Sequence, residues 1–213
     1  MIPCVVCGGE TSLLKDKQLP VTYHVCTVCD FISKDESLRL SNEVEQLQYD
    51  RHNNTMESTG YVDMFKELIK EYIEPLAVTR NVLDFGSGPG PVLYELLAEE
   101  GYNVSHYDPF YHPDVTYKES SFQLITSTEV VEHFFDPVKE FLHLSNLLEE
   151  GGYLLIMTHI RNKGLDVFLH WWYRRDVTHV SFYHLNTLEY IARVCGLEII
   201  KHNNKNIILF KKK

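Results

Sequence analysis

The chain has 213 residues, of which 44% are hydrophobic, and a formal net charge of -10 at pH 7. This length suits one α/β domain with a small appendage, and the hydrophobic content excludes a wholly disordered chain. The acidic balance argues against a nucleic-acid partner held by general electrostatics, although residues 171–175 (WWYRR) form a local basic patch.

No apolar run reaches the roughly 18–20 residues that a transmembrane helix needs. The first residues, MIPCVVCGGE, lack the basic and apolar regions of a secretory signal. We therefore expect a cytoplasmic protein without a membrane partner. In a reducing compartment its five cysteines are expected to be metal ligands or buried thiols.

Two CxxC pairs open the chain, with 18 residues between them. Each pair offers two sulfurs from one tight turn, and four thiolates satisfy tetrahedral zinc. The spacing predicts a zinc ribbon over residues 1–33 with a closed, structural site; the alternative is a ribbon that has lost its metal or formed a disulfide. The four predicted ligands are Cys4, Cys7, Cys26 and Cys29, whereas Cys195 is predicted to be a buried helix residue.

Residues 34–58 are polar and are predicted to be a linker that orders over the active site. An amphipathic helix is predicted to follow, over residues 61–75. From residue 81, strands and helices alternate, which predicts an α/β domain over residues 59–213 with a mainly parallel sheet covered on both faces. The predicted strands are 81–85, 103–107, 122–126 and 153–158, the predicted helices 91–100, 137–150 and 186–195, and the closing antiparallel pair 197–201 and 206–211.

Residues 82–90, VLDFGSGPG, predict a strand that enters a glycine turn and then a helix. Ligands of such folds bind beyond the carboxyl ends of the strands, where glycines allow a close approach. Pro91 stands where the dinucleotide fingerprint GxGxxG needs a glycine. A carboxylate at Asp84 suits a ligand's ammonium, and Asp108 at the end of the next strand suits ribose hydroxyls. The pattern favours an amino-acid-bearing nucleoside over NAD; the alternative is a tight turn without a ligand.

The glycine turn, Asp108, ITSTEVVEHFFDP and LLEEGGYLLIMT together resemble the class I S-adenosylmethionine-dependent methyltransferases, within the subgroup of ubiquinone-biosynthesis-type O-methyltransferases. The four-cysteine segment resembles the N-terminal module of some sugar C-methyltransferases. The resemblance implies a Rossmann-like sheet of seven strands with the last one antiparallel. Only 13 residues separate Asp108 from Phe122, so the usual second helix and third strand are expected to be cut short.

The resemblance also implies how the cofactor is held. The glycine turn would hold the methionine part, Asp108 the ribose, and the residues after it the adenine, while two residues after the fourth strand would lie near the sulfur. The implied cofactor-binding residues are Asp84, Gly86, Ser87, Gly88, Gly90, Asp108, Pro109, Phe110, Ser127 and Thr128.

The stretch EVVEH places Glu129, Glu132 and His133 on one face of a predicted helical turn. It is similar to the magnesium-binding motif of small-RNA 2′-O-methyltransferases and of some ubiquinone-pathway O-methyltransferases, which implies a second metal site. A fourth ligand would come from elsewhere in the chain, and His159, just after the fifth strand, is the best placed. In one alternative, His133 is a general base without a metal. In another, the carboxylates cap backbone amides or face solvent and the histidine is structural.

Residues 159–184 are rich in aromatic side chains and histidines, which suits a substrate lid. Arg174, Arg175 and His179 could hold a carboxylate or phosphate; alternatively the aromatics pack on the sheet and the arginines are solvated. The form of residues 176–183 recurs in the subgroup, which favours a pocket role for His179 and Tyr183. The predicted catalytic residues are therefore His133, Glu132, His179 and Tyr183.

The sequence predicts a methyltransferase that passes a methyl group from S-adenosylmethionine to a small-molecule hydroxyl or carbon acceptor, by in-line displacement. Zinc is predicted as a structural cofactor, with magnesium as a candidate at EVVEH. One rival is an RNA-base methyltransferase, which the net charge disfavours. Another is a non-catalytic module that binds the cofactor or a protein partner, and a third is an NAD oxidoreductase, which Pro91 disfavours.

Overall fold

The computed structural model describes residues 2–51, 55–78 and 81–213. Residue 1 of the predicted ribbon, residues 52–54 of the predicted linker and residues 79–80 of the predicted methyltransferase domain lie outside the described residues. In the described part of the chain, no helix has the length and apolar character needed to cross a bilayer.

A mixed sheet of six strands forms the centre of the fold, in the order β5-β4-β6-β7-β10-β9. Its four parallel strands are β4 (Asn81–Phe85), β5 (Asn103–Tyr107), β6 (Phe122–Thr128) and β7 (Leu148–Met157). Strand β10 (Ile207–Lys212) runs antiparallel to β7 and to β9 (Leu197–His202). The predicted α/β class and the antiparallel last strand are confirmed.

The sheet has six strands where the resemblance implies seven. The connection from β5 to β6 is too short for a helix and a strand, and it holds a short 3₁₀ turn over Thr116–Glu119. Strand β5 is therefore an edge of the sheet. This outcome follows from the 13-residue spacing that is visible in the sequence.

Helices cover both faces of the sheet. Successive residues of one strand point to opposite faces, so Leu83, Ile125 and Ile156 belong to one buried cluster and Val82, Leu124 and Leu155 to the other. The first cluster packs on α4 (Pro137–Leu147) and α6 (Leu185–Val194), and the second on α2 (Thr59–Leu68) and α3 (Val92–Glu99).

Two helices end earlier than the sequence predicts. Helix α2 gives way at Ile69 to a π-helical turn, Ile69–Ile73, and then to a 3₁₀ turn, Glu74–Leu76. Helix α4 ends at Leu147 because β7 already begins at Leu148, five residues before the predicted start of that strand.

The N-terminal segment is joined to the rest of the fold by a sheet. Strands β1 (Thr11–Lys15), β2 (Thr22–Cys26) and β3 (Ile32–Lys34) form an antiparallel meander. Strand β3 then pairs with β8 (Ser181–Phe182), which lies in the predicted lid. The predicted linker contains α1 (Asn42–Tyr49). The domain boundaries stay predictions.

Candidate functional site

A cleft of about 880 Å³ opens at the carboxyl ends of β4, β5 and β6. The glycine turn and the loop after β5 line one end, and the turn after β6 lines the other. Helix α1 and residues 172–179 contribute the remaining walls. Side chains that sequence reasoning connected with the site and that line the cleft are Asp84, Ser87, Asp108, Phe110, Thr128, Glu129, His133 and His179.

The glycine turn leaves strand β4 at Gly86, where φ is +83°. The amides of Gly86 and Ser87 both donate to the carbonyl oxygen of Tyr107, at 2.7 and 3.1 Å. A Cβ at Gly86 would lie 2.2 Å from the side chain of Val130, so only glycine fits there. Gly88 has φ +68°, and a Cβ on it would meet no atom within 4 Å. The turn therefore leaves open space above Gly88.

Asp84 is buried at the end of β4, at the base of the cleft. Thr126 donates to its Oδ1 atom at 3.0 Å. Burial raises the pKa of this carboxyl to about 7, despite the hydrogen bond from Thr126. A buried carboxylate without a cation is costly, and a ligand's ammonium at this place would stabilise its charged form.

Asp108 is buried at the end of β5 and organises the loops around it. Its Oδ1 atom accepts from the amides of Phe110 and Tyr111, at 2.9 and 3.1 Å. Its Oδ2 atom accepts from the amide of Gly88 at 3.0 Å. The carboxylate thus fixes the glycine turn against the following loop, which carries Pro109.

Two predicted cofactor contacts differ in their access to the cleft. Thr128 lines it, whereas Ser127 is fully buried and is not among the lining residues. The Ser127 hydroxyl has no hydrogen-bond partner among the described residues. The reason is the alternation of side chains along β6, which turns neighbouring residues to opposite faces.

The predicted helical turn at EVVEH is wrong. Glu129 has φ +55°, a left-handed conformation, and its amide donates to the carbonyl of Met157 at 2.7 Å. A 3₁₀ turn begins only at Val131 and includes Glu132 and His133. Glu129 lines the cleft, where desolvation and then the Glu132 carboxylate raise its pKa.

Glu132, His133 and His179 come together at the other end of the cleft. Each offers one ligand atom, and these atoms all lie within 4.8 Å of one another. Glu132 is fully buried; its Oε2 atom accepts from the Thr158 hydroxyl at 2.9 Å, and its Oε1 atom has no hydrogen-bond partner among the described residues. The predicted set of four ligands is thus changed, because neither Glu129 nor His159 belongs to this described group.

Backbone carbonyls orient both imidazoles. The Nδ1 atom of His133 lies 3.0 Å from the oxygen of Thr178, and that of His179 lies 2.8 Å from the oxygen of Tyr173. A carbonyl accepts only from N–H, so each Nδ1 carries the proton and each neutral Nε2 carries a lone pair. Burial lowers the pKa of His179 to about 4, which keeps its ring neutral at physiological pH.

Other predicted site residues do not line the cleft either. Tyr183 is fully buried and donates from its hydroxyl to the carbonyl of Val131 at 2.7 Å, so it supports the turn from below. His159 packs against the rings of Trp172 and Tyr173, with centroids 5.3 and 4.8 Å away. Arg174 is buried in an ion pair with Asp16 of the N-terminal segment, so it does not face the cleft to bind a ligand's carboxylate or phosphate.

Helix α1 contributes a wall of the cleft; the segment around it was predicted to order over the active site, but its helix and its lining residues were not predicted. Tyr49 packs its ring against Phe110 at one end of the cleft and against His133 at the other, with centroids 5.6 and 5.3 Å away. The hydroxyl of Tyr111 donates to Asp50, just after the helix, at 2.6 Å. The signal was the spacing of Asn42, Glu45 and Tyr49, which puts them on one helical face that lines the cleft.

The four cysteines of the N-terminal segment form a second cluster. Their sulfur atoms all lie within 4.8 Å of one another, with Cys4 and Cys29 at 3.7 Å and Cys7 and Cys26 at 3.4 Å. Four sulfurs about 2.3 Å from one zinc ion would stand about 3.8 Å apart, so the spacing fits. The amides of Val28 and Cys29 point at the Cys26 sulfur, at 3.3 and 3.4 Å. Such donors stabilise a thiolate.

Comparison with known proteins identifies the family. A family model described as a methyltransferase domain matches residues 49–202, which is more than half of the chain. The chain belongs to this methyltransferase family. The prediction that the protein is a methyltransferase is thereby confirmed. No curated protein sequence gives a significant match.

Solved structures of other methyltransferases share the fold. Magnesium protoporphyrin IX methyltransferase from Synechocystis PCC 6803, solved with bound SAH, has a TM-score of 0.54 and 12% identity, over 82% of this chain and 89% of that chain. A SAM-dependent methyltransferase from Archaeoglobus fulgidus has a TM-score of 0.51 and 19% identity, over 71% and 94%. An O-methyltransferase family protein from Burkholderia thailandensis has a TM-score of 0.50 and 13% identity, over 80% and 69%. At such identities the likeness concerns the fold alone.

Proposed function

We propose that this methyltransferase uses S-adenosylmethionine to methylate a small molecule at a hydroxyl or carbon atom. The observation that carries the proposal is one continuous cleft, with Asp84 and Asp108 at one end and Glu132, His133 and His179 around the other. A donor held at the first end would present its methyl group to an acceptor at the second. Holding the two in line supplies much of the rate acceleration in such a displacement.

The residues at the first end fit the cofactor. Asp84 is a buried carboxyl that has no cationic partner among the described residues, and an α-ammonium group would satisfy it. The open space above Gly88 admits the ligand close to the backbone. Asp108 uses its oxygens for three amides, and the lone pairs that remain can accept from ribose hydroxyls. Pro109 and Phe110 would flank the adenine.

At the second end, an imidazole removes the acceptor's proton. His133 lines the cleft and presents a neutral Nε2 atom, because Thr178 holds the proton on Nδ1. His179 does the same beside it, and its ring centroid lies 5.0 Å from that of His133. A base of this kind contributes roughly 10²–10⁴-fold when the acceptor is a hydroxyl.

The same three side chains form a donor set for a divalent cation. Two imidazole nitrogens and one carboxylate are typical of transition metals with open positions, and magnesium prefers oxygen ligands alone. The buried, unpartnered Oε1 atom of Glu132 supports this assignment. A cation there would occupy the Nε2 lone pairs of both histidines, so it would act as a Lewis acid on the acceptor oxygen in place of the imidazole base. We therefore propose manganese, iron or zinc at this place in preference to magnesium.

We further propose that the four cysteines hold a structural zinc ion. Their spacing and the amides directed at Cys26 fit a closed tetrahedral thiolate site. The hydrogen bond between Cys4 and Cys29, whose sulfurs lie 3.7 Å apart, lowers the pKa of Cys4 and raises that of Cys29, so it favours one of the thiolates that a metal needs.

The proposal is tested by calorimetric titration of S-adenosylmethionine into two matched variants. Gly88→Ala puts a methyl group into the open space of the cleft. Gly196→Ala adds a methyl group at a position that does not line the cleft. Both glycines have nearly equal φ, +68° and +69°, and neither has an atom within 4 Å of the added Cβ. The left-handed conformation then costs each variant about 1–2 kcal/mol of stability.

We expect Gly88→Ala to weaken binding at least tenfold and Gly196→Ala to leave it within twofold of the wild type. Equal affinities in the two variants would place the cofactor elsewhere. If the folded wild-type protein does not bind S-adenosylmethionine at all, the non-catalytic interaction module becomes the better account.

A further inference from the structure

A lysine of the N-terminal segment reaches the backbone that orients both histidines of the cleft. Lys34 ends strand β3 and is buried. Its Nζ atom donates to the carbonyl of Asp176 at 2.6 Å and to that of Val177 at 3.4 Å. The amide of Lys34 donates to the carbonyl of Val180 at 2.9 Å. The side chain and the backbone amide of Lys34 therefore form hydrogen bonds with both ends of residues 176–180.

This short turn sets the positions of the imidazoles. Its Thr178 carbonyl accepts from Nδ1 of His133, and its next residue is His179. The Asp176 carboxylate accepts from the amide and the hydroxyl of Thr178, at 2.9 and 2.6 Å. The amide of Val180 donates to the carbonyl of Glu132 at 2.9 Å. All three members of the Glu132–His133–His179 group thus depend on the turn.

Burying an ammonium group costs free energy unless hydrogen bonds or an opposite charge compensate for the lost hydration. Burial lowers the pKa of Lys34 to about 8, although the charge of Asp176 opposes this change. Side chains alternate between the two faces of β3, and an apolar residue would pack at this buried position as well as lysine does. A lysine is required only if its hydrogen bonds to the turn matter.

We propose that Lys34 is a positioning residue of the methyl-acceptor end, through which the four-cysteine segment completes the site. The inference rests on the proposed function for the roles of the two histidines, but its geometry does not depend on the cofactor. Lys34 touches neither donor nor acceptor. It holds the carbonyls of residues 176 and 177, and these keep the Thr178 carbonyl in place to fix the Nδ1–H form of His133.

The test is the protonation pattern of the imidazoles in the full chain, read from long-range ¹H–¹⁵N NMR spectra at pH 7.5. In the wild type, His133 and His179 are expected to carry the proton on Nδ1. In Lys34→Met, which keeps the volume and removes the donor, we expect the His133 signal to move to the Nε2–H form that free histidine prefers. Lys34→Arg is expected to restore the wild-type pattern, because guanidinium also donates to carbonyls.

Lys15→Met is the matched control, since Lys15 is exposed on the same segment. It should leave both histidines unchanged. An unchanged His133 pattern in Lys34→Met would overturn the proposal. If Lys34→Met does not fold, Lys34→Leu, which also lacks a donor, takes its place: a His133 signal in the Nε2–H form supports the proposal, and a wild-type pattern contradicts it.

Titration of S-adenosylmethionine into the same proteins separates this inference from the proposed function. Lys34→Met is expected to bind the cofactor within about threefold of the wild type, because Lys34 does not line the cleft that contains Asp84 and Asp108. A wild-type protein that fails to bind would refute the proposed function while the histidine spectra still report on Lys34.

Discussion

The Nδ1 atom of His133 lies 3.0 Å from the carbonyl oxygen of Thr178, although the two residues are far apart in the sequence. Because that carbonyl can only accept, the proton of the neutral ring is fixed on Nδ1 and the Nε2 lone pair is left for chemistry. One backbone oxygen thus decides which nitrogen of His133 can act as a base or a ligand. The tautomer of His133 is thus set by residues 176–180, a segment that only folding brings close to it.

The affinity for S-adenosylmethionine should depend on the ionisation of Asp84. Its pKa is raised to about 7 in the free protein, chiefly by burial and also by the charge of Asp108. An ammonium ligand needs the carboxylate, so binding below pH 7 releases a proton. With one such group we expect about fivefold weaker binding at pH 6 than at pH 7. Calorimetry at pH 6 in buffers of different ionisation enthalpy measures the released proton directly.

Asp84→Asn is the control for that titration. It should bind more weakly at pH 7.5, and its affinity should be nearly constant from pH 6 to pH 7. The ligand-free proteins give an independent check of the sign. A carboxyl with a raised pKa loses stability as pH rises from its unfolded value near 4 to about 7, so denaturant unfolding should show this loss in the wild type and not in the Asn variant.

Glu132→Gln should remove divalent cation binding from the acceptor end of the cleft. The change keeps the shape of the buried side chain and takes away its charge. We expect the affinity for Mn²⁺, followed by calorimetry, to fall at least about tenfold, and Mn²⁺ is chosen because it avoids thiolate sites. Glu140→Gln is the control, since Glu140 lines the cleft but lies outside the ligand group. Equal Mn²⁺ affinities in both variants would contradict the proposed cation site.

Removal of one cluster thiol should cost the N-terminal segment its metal. Cys26→Ser is expected to lose one equivalent of zinc by elemental analysis and to lower Tm, because structural zinc contributes folding free energy directly. Cys195→Ser serves as the control: Cys195 is also buried, but it lies in the core beside the carbonyl of Val138. Zinc content that is equal in the two variants, or absent from the wild type, would contradict the proposal.

Arg174→Met should destabilise the protein strongly. Arg174 and Asp16 form an ion pair whose side chains are 0% and 1% exposed, so the variant leaves a buried carboxylate without its partner. Loss of one partner of such a pair costs about 3–5 kcal/mol in denaturant unfolding. The double variant with Asp16→Leu should recover part of that loss. For comparison, Lys201→Met breaks an exposed pair with Glu71 and should cost less than about 1 kcal/mol.

Local patterns in the sequence predict much of this molecule. The glycine turn, Asp84 and Asp108 follow from residues that are close in the chain and from the rule that parallel strands end at one edge. The cysteine spacing predicts the cluster for the same reason. The short link before Phe122 even indicates the missing strand.

Contacts between distant segments are not predictable in this way. His179 joins Glu132 and His133 because β8 pairs with β3 and a turn folds back, and no local spacing encodes that path. The left-handed residue Glu129 breaks the predicted helical face, although glutamate gives no sign of it. Arg174 is taken from the cleft by Asp16, a partner that only the tertiary fold supplies.

The pairing of Ile32 with Phe182 also sets an order of events at the ribosome. The meander emerges before β8, and its last strand can meet β8 only after the residues between them have been made, about 7–30 s later at ~5–20 residues per second. Until then β3 presents an unpaired edge, which is a template for pairing with other chains. A nascent chain that stalls before residue 180 therefore carries the cysteines beside an open strand, and the emergence of β8 closes that strand and brings His179 to Glu132 and His133.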